Sequence, residues 1–174
     1  MKIARKYWLK KLKANSTPHV GFTSWEDVKS VGIVMPNRER GDVNDVHQFV
    51  KTMDSLGVET HLLLLAESKM TKKKEETREK YALYSNESNW KGIPTSEELN
   101  RFKSRKYDVV LHLCKTVEGH AEYLPYQLTT KLLVGHWKYP DQSIVDIGIE
   151  MEGRSMKSIL DDAVNWLKKI KNVA

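Results

Sequence analysis

The sequence predicts an α/β domain. Three observations lead there. Four short apolar runs, 31–35, 60–65, 107–113 and 132–135, have the length and near-continuous hydrophobicity of strands buried on both faces. Segments of helical periodicity separate most of them. An amphipathic stretch over 154–171 closes the order. Strands alternating with helices imply a mostly parallel sheet covered on both sides.

The elements follow in order. Residues 2–13 have the spacing of a short amphipathic helix: Ile3, Ala4, Tyr7, Trp8 and Leu12 fall on one half, Lys2, Lys6, Lys10 and Lys13 on the other. Asn15, Ser16, Thr17 and Pro18 break it, and 14–29 is a connection. Val31 to Met35 is the first strand, stopped by Pro36-Asn37. Asp42 or Asn44 caps a helix that runs to Leu56, with Val43, Val46, Phe49, Val50, Met53 and Leu56 on one stripe. Gly57 stands where a left-handed helix end would put it. Thr60 to Leu65 is the second strand.

Residues 67–80 are so polar that an exposed helix or loop is expected, and 84–94 is loop. Thr95 or Ser96 caps a short helix carrying Leu99 and Phe102. Tyr107 to Leu113 is the clearest strand of the chain. A helix over about 119–130 must accommodate Pro125 in its first turn. Strands over 132–135 and 144–149 follow, the latter alternating as an edge strand does. The final helix presents Met156, Ile159, Leu160, Ala163, Val164, Trp166, Leu167 and Ile170 as an apolar face. The expected architecture is a three-layer Rossmann-like or flavodoxin-like domain. It has a mostly parallel sheet of about five strands and an N-terminal amphipathic helix. Residues 1–29 form the basic helix and connection, and residues 30–174 one Rossmann-like domain.

Composition limits the function classes. The 174 residues suit one domain able to bury a core without staples. One cysteine, Cys114, excludes an internal disulfide and a four-thiolate zinc site and fits a reducing compartment. No apolar run approaches the roughly 20 residues of a membrane span, and no signal-type h-region follows the basic start. The expected location is cytoplasmic. The net charge of +6 comes from Lys2, Arg5, Lys6, Lys10, Lys11 and Lys13; the remaining basic residues equal the acids in number. A basic stripe across the fold, as nucleic-acid binding wants, is therefore not expected.

Open α/β sheets bind ligands beyond the carboxyl ends of their strands, where the strand order reverses. If the first strand lies beside 107–113, two loops converge there. One holds Asn37, Arg38, Arg40, Gly41 and Asp42; the other holds Lys115, Thr116, Glu118, Gly119 and His120. The basic groups near a helix N-terminus could hold a small anion, and Glu118 with His120 could form an acid–base couple. The competing reading is that these are ordinary polar loop residues. His136, at a strand end, is a further candidate ligand; His61 and His112 fit the fold better than a site. Glycine-rich phosphate motifs, a nucleophile elbow and paired metal-ligand histidines are absent, so no cofactor and no metal is expected. Cys114, beside Lys115, has the reactive-thiol context but more commonly packs as a small hydrophobe.

Two stretches carry a resemblance. Lys106 to Leu113, a helix, and then Lys131-Leu132-Leu133-Val134-Gly135-His136 resemble the N-terminal half of heptosyltransferase-type GT-B glycosyltransferases, and Gly41-Asp42-Val43 echoes their GD-containing loop. The whole chain resembles an uncharacterised bacterial family associated with Bacteroidota. The resemblance implies a fold. A GT-B enzyme binds its sugar nucleotide between two such domains, and this chain has length for one.

The leading expectation is therefore a non-catalytic binding or protein-interaction domain with a protein partner, anchored by Trp8, Trp90 and Trp137 where exposed. A binder of a nucleotide, sugar nucleotide or phosphate, or an enzyme of glycosyltransferase-like ancestry, is the alternative. Peripheral association of residues 2–13 with an anionic membrane or nucleic acid comes third, against docking of Ile3, Tyr7 and Trp8 on the domain.

Overall fold

A computed structural model gives the fold. It describes every residue except 1, 23, 38, 39, 77 and 171–174, and also leaves the side chains of 2–5, 40, 73 and 74 undescribed. Six strands form one sheet: β1 (Ser30–Pro36), β2 (Glu59–Ala66), β3 (Ala82–Tyr84), β4 (Lys106–His112), β5 (Thr129–His136) and β6 (Ile147–Ile149). Their order across the sheet is β3-β2-β1-β4-β5-β6, and every pairing is parallel. The order reverses between β1 and β4, where Val31 pairs with Val109 and Val34 with His112. Among the described residues the α-helices are α1 (Lys2–Ala14), α2 (Arg40–Ser55), α3 (Lys72–Glu75), α4 (Glu97–Lys103), α5 (His120–Tyr123) and α6 (Met156–Lys169).

The strands are continuous apolar runs because both faces are buried. Ile33, Met35, Leu62, Leu64, Val109, Leu111 and Val134 point into one core, with Val46 and Met53 of α2 and Ile159, Leu160 and Ala163 of α6. Their neighbours Val34, Leu63, Val110 and Leu133 point into the other core, with Leu99 and Phe102 of α4 and Leu124. The period of two thus divides every run between two layers of helix.

Local chemistry sets the boundaries. Beyond α2, Val58 N–H bonds Met53 C=O and Gly57 N–H bonds Asp54 C=O, with Gly57 at φ 76°, a left-handed end that favours glycine. Ser96 Oγ accepts from Leu99 N–H and starts α4. Ser155 Oγ does the same for α6 through Ser158 N–H.

The structure corrects several expectations. Helix α2 starts at Arg40, so Asp42 sits in its first turn and Asn44 inside it; neither caps it. Leu56 lies past the last turn and is exposed, as is Trp166 on α6. The helix expected over 119–130 is the single turn α5 followed by a 3-10 turn, Leu124–Gln127, because Pro125 near the turn's start cannot serve as an interior donor. The strand expected over 144–149 is a 3-10 turn, Gln142–Ile144, and then the short edge strand β6. Strand β3 was not expected; its three residues are too few to show a period.

Helix α1 docks with a face that shares Leu12 with the expected one but is centred nearer Leu9 than Tyr7. Leu9 and Leu12 pack on the second core, while Tyr7 is 60% exposed. Lys13 Nζ lies 2.8 Å from Asp141 Oδ2, which also accepts from Tyr126 Oη at 2.8 Å. Burial pushes the Asp141 carboxyl up, but the Lys13, Ser143 and Tyr126 hydrogen bonds outweigh it and hold the group at about 2. The connection behind α1 is held by His19 Nδ1, which donates to Asp146 Oδ2 at 2.7 Å. Among the described residues no helix is long and apolar enough to cross a membrane.

Candidate functional site

Strands β1 and β4 are neighbours whose following segments leave in different directions. Beyond β1 the chain enters α2; beyond β4 it runs through 113–119 into α5. Between them lies a cleft of about 260 Å³. Its apolar surface comes from Pro36, Leu65, Leu113, Cys114, Ala121 and Met156, and its polar groups are Asp42, Glu67, Ser85, Lys115, Thr116, Glu118 and His120.

Of the residues predicted for a site, the cleft brings together Asp42, Lys115, Thr116, Glu118, Gly119 and His120. Lys115 Nζ stands 3.9 Å from Asp42 Oδ2, beyond hydrogen-bond length, so the two charges neutralise each other without tying up the ammonium's donors. His120 is held below the ordinary histidine range by burial, against an opposing pull from Glu87. Glu118 and His120 share the lining, but among the described residues no hydrogen bond joins them. Gly119 precedes α5 at φ 60°, which turns the loop into the short helix.

Other predicted residues lie elsewhere. Asn37 turns its side chain to Glu79, donating from Nδ2 at 2.6 Å, while its backbone N–H bonds Leu65 C=O. Gly41 is in the exposed first turn of α2 and does not line the cleft. Arg38 lies outside the described residues, and so does the side chain of Arg40, whose backbone opens α2. His136 does not line the cleft: it is buried at the end of β5, where its Nδ1 accepts from Lys138 N–H at 2.9 Å within the following turn and its Nε2 has no hydrogen-bond partner among the described residues.

Glu67, Ser85 and Met156 were missed. Glu67 directly follows β2 and Ser85 directly follows β3, so both stand at carboxyl ends of strands on the same side of the reversal. The rule that ligands gather at carboxyl ends could have found Glu67. Ser85 needed β3. Met156 reaches the cleft from the start of α6, a long-range contact with no local signal.

The 113–120 loop is fixed from below by His112. The ring is buried, its Nε2–H donates to Ala121 C=O at 3.0 Å, and it meets the Tyr139 ring edge-on at 5.7 Å. Burial pushes its pKa down to about 4, so the imidazole is neutral. Tyr139 Oη donates to Glu122 C=O at 3.0 Å and secures the other side of α5. Among the described residues no three histidine, cysteine, aspartate or glutamate side chains gather as a metal ion would need.

A family profile described as a family of unknown function, DUF6913, matches residues 1–170. The chain belongs to DUF6913. No curated protein matches it. Two solved structures resemble the DUF6913 chain at the level of fold. The heptosyltransferase WaaC of E. coli with ADP aligns at TM-score 0.41 and 9% identity, over 81% of this chain and 48% of the enzyme. The glycosyl transferase of family 9 from Veillonella parvula DSM 2008 aligns at TM-score 0.43 and 11% identity, over 84% of this chain and 43% of the other. The DUF6913 chain thus spans about half the length of the solved chains it matches.

Proposed function

We propose that this chain is a small-molecule-binding α/β domain, and that its ligand occupies the cleft at the reversal of strand order. One observation carries the reading: residues at or following the ends of four strands, β1, β2, β3 and β4, converge on one concave space whose lining combines apolar and polar side chains. That combination is the usual form of a ligand site, because apolar walls bury the ligand and a few polar groups orient it. The volume of about 260 Å³ suits a molecule the size of a monosaccharide phosphate or one half of a nucleotide. Lys115 supplies the donor for its anionic or oxygen-rich end, and Glu67 and Glu118 accept from its hydroxyl or amino groups.

The test is thermal stability of the full chain with sugar phosphates, nucleotides and sugar nucleotides. A ligand at about 100 times its Kd stabilises the fold by about 2.7 kcal/mol, a shift of roughly 5–10 °C at this size. A shift that Lys115→Ala removes supports the cleft. No shift across the panel, or one that survives both Lys115→Ala and Glu118→Ala, overturns it.

A further inference from the structure

A second surface, sharing no residue with the cleft, is built where α1 meets the loop after β3. Trp90 in that loop is 86% exposed, yet its ring is not isolated. It meets Trp8 of α1 edge-on with centroids 6.2 Å apart, and Trp8 meets Tyr7 in the same way at 5.1 Å. Lys91 Nζ lies 4.1 Å from the Trp8 ring centroid and 5.0 Å from that of Trp90, and Lys11 Nζ lies 5.2 Å from Trp8. Lys6, Lys10 and Lys11 are exposed on the same helix. The first acid of the sequence is Glu26, so nothing on α1 or the start of its connection offsets these charges.

We infer that this patch binds the surface of an anionic phospholipid bilayer. Docking through Leu9 and Leu12 leaves the other side of α1 outward, and that side is aromatic and cationic. Indole and phenol rings suit the headgroup layer, being apolar in body and polar at the tip. Each lysine near an anionic leaflet raises partitioning about fivefold. Helix α1, at 13 residues, is too short to be stable alone in water. Here it is already folded on the domain by Lys13, Leu9 and Leu12, so no ordering cost opposes binding. The shape also favours a plane over a strand of nucleic acid. Among the described residues, Tyr7, Trp8, Trp90 and Lys91 line neither the cleft nor the two other well-formed pockets. A single strand is held in a groove with open ring faces for its bases, whereas lysine ammonium groups already lie over Trp8.

The test is sedimentation of the full chain with vesicles of phosphatidylcholine alone and with about one third phosphatidylserine. Binding is expected to the anionic vesicles only and to fall steeply with added salt. Lys10→Glu with Lys11→Glu should weaken it by on the order of 25-fold or more. Tyr7→Ala with Trp90→Ala should weaken it about tenfold, and both pairs alter exposed side chains and should leave the melting temperature nearly unchanged. Absence of binding to anionic vesicles overturns the proposal. So does equal binding to neutral vesicles, or binding that both double variants retain. A single-stranded oligonucleotide that binds while the vesicles do not would assign the patch to nucleic acid instead.

Discussion

His112 Nε2 donates to the carbonyl of Ala121 at 3.0 Å, so the last residue of β4 holds the first turn after the cleft loop. A neutral ring carries the proton that this carbonyl needs, and burial keeps it neutral down to about pH 4. In the unfolded chain the same histidine takes up a proton near 6.5.

Stability should therefore fall on acidification. The folded pKa of His112 is depressed, so its contribution is complete above about 6.5 and is lost as pH falls toward 4, where the folded ring protonates too. The loss amounts to roughly 3 kcal/mol across that window. Denaturant melts of the parent chain and of His112→Gln at a series of pH values measure it. The variant should be less stable at neutral pH and show a flatter acid limb; parallel limbs would contradict the assignment.

A second acid window belongs to Asp141. Its carboxyl is held at about 2 in the fold, so its contribution is present above about 4 and disappears as pH falls to 2. Asp141→Asn should cost about 1–2 kcal/mol at neutral pH. The loss should appear first as faster amide exchange in α1, because Lys13 loses its partner while the sheet keeps its own bonds.

Strand β6 approaches β5 too closely for a side chain at Gly148. A Cβ there would stand 2.9 Å from Trp137 Cα, which is backbone and cannot swing away. Gly148→Ala should destabilise the chain by about 1–3 kcal/mol, or about 2–12 °C in Tm. At Gly41, which a Cβ would leave without close contact, alanine should cost nothing of the kind.

The short strand β3 depends on one arginine. Arg78 donates from Nη1 and Nη2 to the two oxygens of Glu87 at 2.7 and 3.0 Å, and also to Ala82 C=O at 2.9 Å. Glu87 in turn accepts from Tyr84 N–H at 2.8 Å. Lysine keeps the charge but not the fork, so Arg78→Lys should cost about 1–2 kcal/mol. Exchange at Ala82 to Tyr84 should rise more than exchange in β1 if the arginine organises that edge.

Sequence alone determined the α/β class, the runs that became β1, β2, β4 and β5, the amphipathic α6, a cap at Thr95 or Ser96 and the glycine end of α2; the structure chose Ser96. It also indicated the loops at the reversal. All of these rest on residues a few positions apart, where a period of two or of 3.6, a cap or a turn leaves its mark. Tertiary structure decided the rest. Strand β3 exists because β2 offers it a partner edge, with Leu64, Leu65 and Ala66 opposite Ala82, Leu83 and Tyr84. The docking face of α1 was set by the second core, which took Leu9 and Leu12 and left Tyr7 outside. Trp8 met Trp90, Met156 reached the cleft, and the Nδ1 of His136 took the Lys138 N–H. Contacts between residues far apart in the chain depend on where the whole backbone travels. A helix only 13 residues long has several faces that could pack, and its local pattern does not rank them.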